Sequence, residues 1–140
     1  KNRELIALKE ELQFIKEYMF LMETRFDKNV SLEVNINSKA TKKMVPPVSL
    51  QLLIENAIKH NEISNRNKLE IVIQEMDNDY LSITNNIKLR KGKFSSTGTG
   101  LKNIAERYEY LTEKEVIVNS SDNRFQILIP LLQIDSSDVL

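Results

Sequence analysis

Residues Val45 to Asn61 read VPPVSLQLLIENAIKHN. Pro46 and Pro47 cannot continue a helix from upstream, yet proline suits a first helical turn, so a helix is predicted to begin here. From Leu50 the apolar residues fall at Leu50, Leu53, Ile54, Ala57 and Ile58, the spacing of one buried helical stripe. Asn56, Lys59 and His60 lie off that stripe and close together, because residues three and four apart share a helix face. Gathered there, an amide oxygen, an ammonium and an imidazole suit a metal-bound polyphosphate. Asn56 offers a hard oxygen to Mg2+, and Lys59 and His60 offer donors to phosphate oxygens. Taken alone, the stretch reads first as a core helix with a wet outer face.

Upstream, Val30, Leu32, Val34 and Ile36 alternate with polar residues, which predicts a strand with one buried face. A basic, polar loop from Asn37 to Lys43 joins it to the Pro-Pro helix. Further back, Leu5, Leu8, Leu12, Ile15, Met19, Met22 and Phe26 are spaced alternately three and four apart, a helix with a heptad-like seam. Phe14, Tyr18 and Leu21 add a second apolar stripe. Two readings stand: one broad core face, or one stripe on the domain's own sheet and the other against a partner helix.

Downstream, Leu69 to Met76, a turn at Asp77-Asn78-Asp79 and Tyr80 to Thr84 predict a hairpin. From Asn85 to Thr97 the periodicity disappears. Lys88, Arg90, Lys91 and Lys93 make this segment basic, and Gly92, Ser95, Ser96 and Thr97 make it pliable. Lying between two candidate site motifs, it is expected to be a lid that contacts phosphate, with a solvated connection as the plainer reading. Gly98-Thr99-Gly100-Leu101 then opens a helix continued by Ile104, Tyr108 and Leu111. Two of the chain's three glycines sit there, where backbone can approach a ligand and free helix N–H groups can hold phosphate oxygens. A lone GxG also reads as a plain turn. Glu115 to Asn119, a Ser-Ser-Asp-Asn turn and Arg124 to Leu132 predict a second hairpin, followed by a polar tail from Asp135.

The predicted order is helix, strand, helix, two strands, lid, helix, two strands. It implies a two-layer α/β sandwich whose mixed, mostly antiparallel sheet is covered by helices on one face. The 140 residues fit one domain with a real core. Twenty basic and twenty acidic residues cancel, so no overall field draws the chain to nucleic acid or an acidic membrane. Absence of cysteine excludes disulfides and thiolate metal sites and leans towards a reducing compartment, and a single histidine excludes a zinc site of several imidazoles. No apolar run approaches the roughly 20 residues of a membrane span. The chain opens at Lys1 without methionine and turns helical almost at once, as expected of a piece of something longer.

Three pieces stand in order: LLIENAIKHN, then LSITNN at a strand end, then GTGLKNIAERY opening a helix. Together they resemble the ATP-binding catalytic domain of LytS-type sensor histidine kinases, within the superfamily shared by gyrase, Hsp90, histidine kinases and MutL. The first helix, ELQFIKEYMFLMETRF, is similar to the E-x6-Y-x6-R-F segment that precedes this domain in those kinases, so the likeness spans nearly the whole chain. The resemblance implies a Bergerat-type ATP fold over residues 29–134, a helical linker or first helix over 1–28 and a tail over 135–140. It also implies a role for each matching position. Asn56 would ligate the Mg2+ that bridges the ATP phosphates, while Lys59 and His60 would contact phosphate or ribose. Asn85 would meet the adenine amino group in place of the family's aspartate. Gly98, Thr99, Gly100 and Leu101 would bring backbone to the phosphates, under a lid of residues 87–97.

Two departures stand out. Where many members read Asp-x-Gly-x-Gly, this chain reads Asn85-Asn86-Ile87. A neutral acceptor and a β-branched residue near the base predict weak nucleotide binding, since a lost charge-assisted bond costs ~1.5–3 kcal/mol. Gyrase-like relatives place a glutamate base four residues before the asparagine, and here that position is Leu52, which cannot take a proton. Glu55, beside Asn56, matches the carboxylate thought to help activate the acceptor histidine. Glu55 and Lys59 are therefore the expected catalytic side chains. The implied acceptor is a histidine on an upstream dimerisation helix of the same protein. The resemblance implies a homodimer when the protein is whole, a response regulator as partner, and a cytoplasmic domain on an inner-membrane parent. The alternatives are a degenerate domain acting as a protein-interaction module with weak or no nucleotide binding, and a serine kinase of the anti-sigma-factor type.

Overall fold

A computed structural model of the chain describes residues 5–88 and 99–133, apart from the side chain of Thr99. The elements are β1 (Ile6–Ala7), α1 (Leu8–Arg25), β2 (Val30–Asn35), β3 (Met44–Val45), α2 (Ser49–His60), β4 (Leu69–Met76), β5 (Tyr80–Asn86), α3 (Thr99–Leu111), β6 (Ile117–Ser120) and β7 (Arg124–Pro130). Five strands form one sheet in the order β2-β4-β5-β7-β6. β2 runs parallel to β4 and every other neighbour is antiparallel, giving the mixed, mostly antiparallel sheet expected.

Alternation sets the two faces of that sheet. Leu69, Ile71 and Ile73 of β4, Leu81 and Ile83 of β5, and Ile127 and Ile129 of β7 are buried on one face. There they meet Leu50, Leu53, Ile54 and Ile58 of α2 and Ile104 and Tyr108 of α3 in a single core. Glu33, Glu70 and Gln74 point the other way and are exposed. On that open face a polar row closes on itself. Asn119 donates to Gln126 (2.9 Å), Gln126 donates to Ser82 (3.0 Å), and the Ser82 and Thr84 hydroxyls stand 3.3 Å apart.

The hairpins follow their turn chemistry. Met76 pairs with Tyr80 across a three-residue loop, with Asn78 and Asp79 at φ 63° and 61°, the left-handed region their short polar side chains tolerate. In α1 the seam residues Leu8, Leu12, Ile15 and Met19 are buried, whereas Phe14 and Leu21 stay 58% and 60% exposed. The second stripe is divided: Tyr18 packs against the core with the seam, while Phe14 and Leu21 face outward.

Several boundaries differ from the sequence reading. α1 starts at Leu8, because Ile6 and Ala7 pair as a strand with Val45 and Met44. The polar loop holds a 3-10 turn at Ala40–Lys42, nucleated by Asn37, whose side-chain oxygen accepts from Ala40 N at 2.9 Å. The prolines precede α2 without starting it: Pro46 O accepts from Ser49 Oγ (2.7 Å), and Val48 sits at φ 71° before the first helical residue, Ser49. β5 runs on to Asn86, and β6 begins at Ile117.

Candidate functional site

The candidate site residues lie on two helices, α2 and α3, and at the end of strand β5. α2 contributes Asn56, half-buried, its side chain without a hydrogen bond among the described residues. α3 begins opposite it. A methyl group built on Gly100 would stand 2.9 Å from Asn56 Nδ2 and 3.6 Å from its Oδ1. Only a residue without a side chain lets the amide lie against the first turn of α3, whose leading N–H groups lack intrahelical partners. Sequence motifs 44 residues apart thus meet in space.

The end of β5 supplies Asn85, 5% exposed and on the core side of the sheet in register with Ile71 and Phe125. Its Nδ2 donates to the backbone oxygen of Asn86 at 2.7 Å. A carbonyl can only accept, so the amide nitrogen must face it, and the Asn85 side-chain oxygen is left as a buried acceptor without a partner among the described residues. Asn86 has a different task. It donates to Lys68 O (2.8 Å) and accepts from Glu70 N (2.7 Å), continuing the β4–β5 pairing where the ladder ends. Ile87 N donates to Asn123 O at 3.0 Å.

Farther along α2, Lys59 is exposed and takes part in no ion pair among the described residues, and His60 is half-buried at the helix end. Glu55 accepts from Gln51 Nε2 at 2.9 Å, one helical turn back. It lies near Tyr18 of α1: burial first, then the Glu55 charge, raises the Tyr18 phenol above its ordinary value, while Arg25 pulls it down. Leu52 packs against the core. Leu101 is half-buried on α3. Gly98, residues 89–97 of the expected lid, and the Thr99 side chain lie outside the description, as do residues 134–140.

Two residues with no role in the sequence reading hold this frame. Asn61, 5% exposed, donates to Ala57 O (2.8 Å) and accepts from Lys88 N (2.6 Å), while Glu62 N donates to Lys88 O (2.7 Å). The end of α2 is thereby tied to the chain leaving β5. Glu11 of α1, 1% exposed, accepts from the backbone N–H groups of Val48 (3.0 Å), Leu50 (3.0 Å) and Gln51 (3.3 Å). Glu11 opens the E-x6-Y-x6-R-F segment, which was the available signal. Its partner was not readable, because the contact spans 37 to 40 residues of chain.

No family model matches the chain. Among curated proteins it is similar to the sensor protein LytS of Bacillus subtilis, 30% identical over 118 residues that make up 74% of this chain and 20% of that one. The LytS of Staphylococcus haemolyticus is 36% identical over 81 residues, 56% of this chain and 14% of that protein. The chain thus spans about a fifth or less of these relatives. Among solved structures, the catalytic domain of histidine kinase ThkA superposes with a TM-score of 0.59 at 18% identity, covering 96% of this chain and all of that one. The cytoplasmic segment of histidine kinase QseC gives 0.60 at 13% identity, covering 93% and 78%. These relatives and neighbours agree with the kinase reading of the motifs and lend no support to the interaction-module alternative. Over about three quarters of its length the chain is thus similar to the sensor protein LytS, and its fold is the one seen in histidine-kinase catalytic domains.

Proposed function

We propose that the chain binds ATP with Mg2+ and presents the γ-phosphoryl group to a histidine on an upstream helix of its parent protein. The observation that carries this reading is the approach of Asn56 to the Gly100 backbone, with, at the end of β5, an Asn85 side-chain oxygen that has no partner among the described residues. These features fit the ligand. A buried acceptor suits an adenine amino group, a neutral hard oxygen suits Mg2+ that is also held by phosphates, and the opening of α3 suits the phosphates themselves. Among the described residues no three His, Cys, Asp or Glu side chains converge to hold a metal unaided, so Asn56 would share the ion with the nucleotide.

In this reading Asn56 would hold the Mg2+ that comes with the nucleotide. Bound Mg2+ supplies charge neutralisation of the phosphates. Lys59 and His60 donate to phosphate or ribose oxygens, and Lys88 starts a basic lid. Gly98, Thr99, Gly100 and Leu101 bring backbone N–H groups to the phosphates. Glu55 accepts the proton of the attacking imidazole. Leu52 cannot polarise water, which favours transfer over hydrolysis. What the chain provides is positioning and preorganised electrostatics.

The likeness to the LytS sensor proteins supports a wider setting. Residues 29–134 would form the catalytic unit, 1–28 its helical linker or first helix, the latter favoured by the burial of Leu8, Leu12, Ile15 and Met19 in the core, and 135–140 a tail. The parent acts as a homodimer on the cytoplasmic side of a membrane and passes phosphate to a response regulator, with no part for nucleic acid. Among the described residues no helix is long and apolar enough to cross a membrane.

Titration with a fluorescent ATP analogue tests the reading. Binding is expected to be Mg2+-dependent, weak because Asn85 is neutral, and lost in Asn56→Asp. Affinity indifferent to both Mg2+ and Asn56 would remove nucleotide binding from this site.

A further inference from the structure

Glu11 lies on α1, outside the candidate site, yet its carboxylate ends at the start of the helix that bears Asn56. It takes part in no ion pair among the described residues, so its buried charge is met by the free N–H groups and the positive end of the α2 dipole. The same turn is gripped from α3, where Arg107 Nη1 donates to Pro47 O at 2.7 Å. Tyr108, the next residue, feels the Glu11 charge as a secondary cause, after burial, of its raised phenol pKa. The turn that opens α2 is therefore held from both sides, by Glu11 of α1 and by Arg107 of α3.

Val48 shows how firmly that turn is held. A β-branched residue at φ 71° is strained, and Val48 is 44% exposed, so little burial offsets the strain. The bond from its N–H to Glu11 does. Asn56 stands six positions beyond Leu50, about 9 Å along a helix rising 1.5 Å per residue. A rigid helix clasped at its first turn carries any displacement of that turn to Asn56.

We propose that Glu11 is a positioning residue: it couples the placement of α1 to α2 and so sets where Asn56 stands against Gly100. The functional part of this inference rests on the place where Asn56 meets Gly100 being the nucleotide site. A carboxylate serving stability alone would alter the melting temperature and leave the geometry at Asn56 intact.

The test uses the 140-residue chain and Glu11→Gln, which keeps one acceptor oxygen but turns an NH2 group towards the same donors. Ile129→Val, a core change towards the far end of β7 from Phe125, serves as a destabilised control. In Glu11→Gln the Kd for the fluorescent ATP analogue with Mg2+ is expected to rise tenfold or more. The Asn56 side-chain amide and Gly100 backbone signals should shift in 15N–1H spectra. Ile129→Val should leave both affinity and these signals in place. Unmoved Asn56 and Gly100 signals in Glu11→Gln would overturn the proposal, as would unchanged affinity. If the unaltered chain bound no nucleotide, the site reading would fall, and the spectra alone would still decide whether Glu11 positions Asn56. Should Glu11→Gln not fold, Glu11→Asp, one methylene short of the turn, carries the same expectations.

Discussion

At Gly100 the absence of one methyl group decides whether two motifs can meet. In Gly100→Ala the new Cβ would press on Asn56 Nδ2 at 2.9 Å, the far end of a side chain that can swing away. The fold should accept the change, and alanine favours helix over glycine by about 0.5–1 kcal/mol. Gly100→Ala is therefore expected to melt no lower than the parent while binding the ATP analogue at least tenfold more weakly, read by thermal denaturation and titration. Asn85 responds differently. In Asn85→Asp a nearly buried carboxylate cannot donate to Asn86 O and faces that carbonyl instead. A loss of about 1–3 kcal/mol is expected in urea denaturation, even though a charged acceptor would suit adenine better. Here the sequence spoke clearly for some residues and not for others. Asn56 and Gly100 carry recognisable motifs, and their meeting was legible. The zipping of Asn86 to the backbone of β4 was not, because no local pattern distinguishes an asparagine that reads a ligand from one that closes a ladder.

Among the elements, α1 has the larger share in stability than a linker would need. Leu8, Leu12, Ile15 and Met19 fill the core, each worth about 1.5–3 kcal/mol on burial. That approaches the whole stability of a typical domain, about 5–15 kcal/mol. Removal of residues 1–26 should abolish cooperative unfolding in calorimetry, whereas a chain with a native-like transition would show α1 to be dispensable. Tyr108 anchors α3 more locally, through its hydroxyl donating to Pro130 O at 2.9 Å. Tyr108→Phe leaves that carbonyl unpaired and should cost about 1–3 kcal/mol in chemical denaturation. Periodicity revealed α1, α2 and α3, and turn residues revealed both hairpins. Helix starts were less legible. The α2 start is set by Glu11 from a distant part of the chain, and two-residue strands such as β1 carry too few residues for any period.

For the molecule as a whole, the end of the sheet away from Asn85 is fastened by charge. Lys43, next to β3, pairs with Asp79 in the β4–β5 turn, and Asp79 O accepts from Leu131 N at 2.8 Å. The hydrogen bond from Lys43 holds the Asp79 carboxyl below its ordinary value of 3.8, against the opposing effect of burial and with help from the charges of Lys43 and Lys114. A depressed pKa in the folded state stabilises above the unfolded value, and that contribution is lost as the pH falls through the folded one. Asp79→Asn keeps a residue tolerant of φ 61°. It should melt slightly lower than the parent near neutrality, by less than about 1 kcal/mol for so exposed a pair, and the gap should close on acidification.

The parallel alignment of β2 with β4 has its own mechanical result. Everything from Ile36 to Lys68 bridges two strands pointing the same way, and α2 lies within that bridge. Its carrier of Asn56 is thus stitched into the sheet at both flanks and cannot peel off as a free end would. Amide protons of Leu53, Ile54 and Ile58 should exchange with solvent together with those of Ile71 and Ile73, so that the wall holding Asn56 lasts as long as the sheet itself.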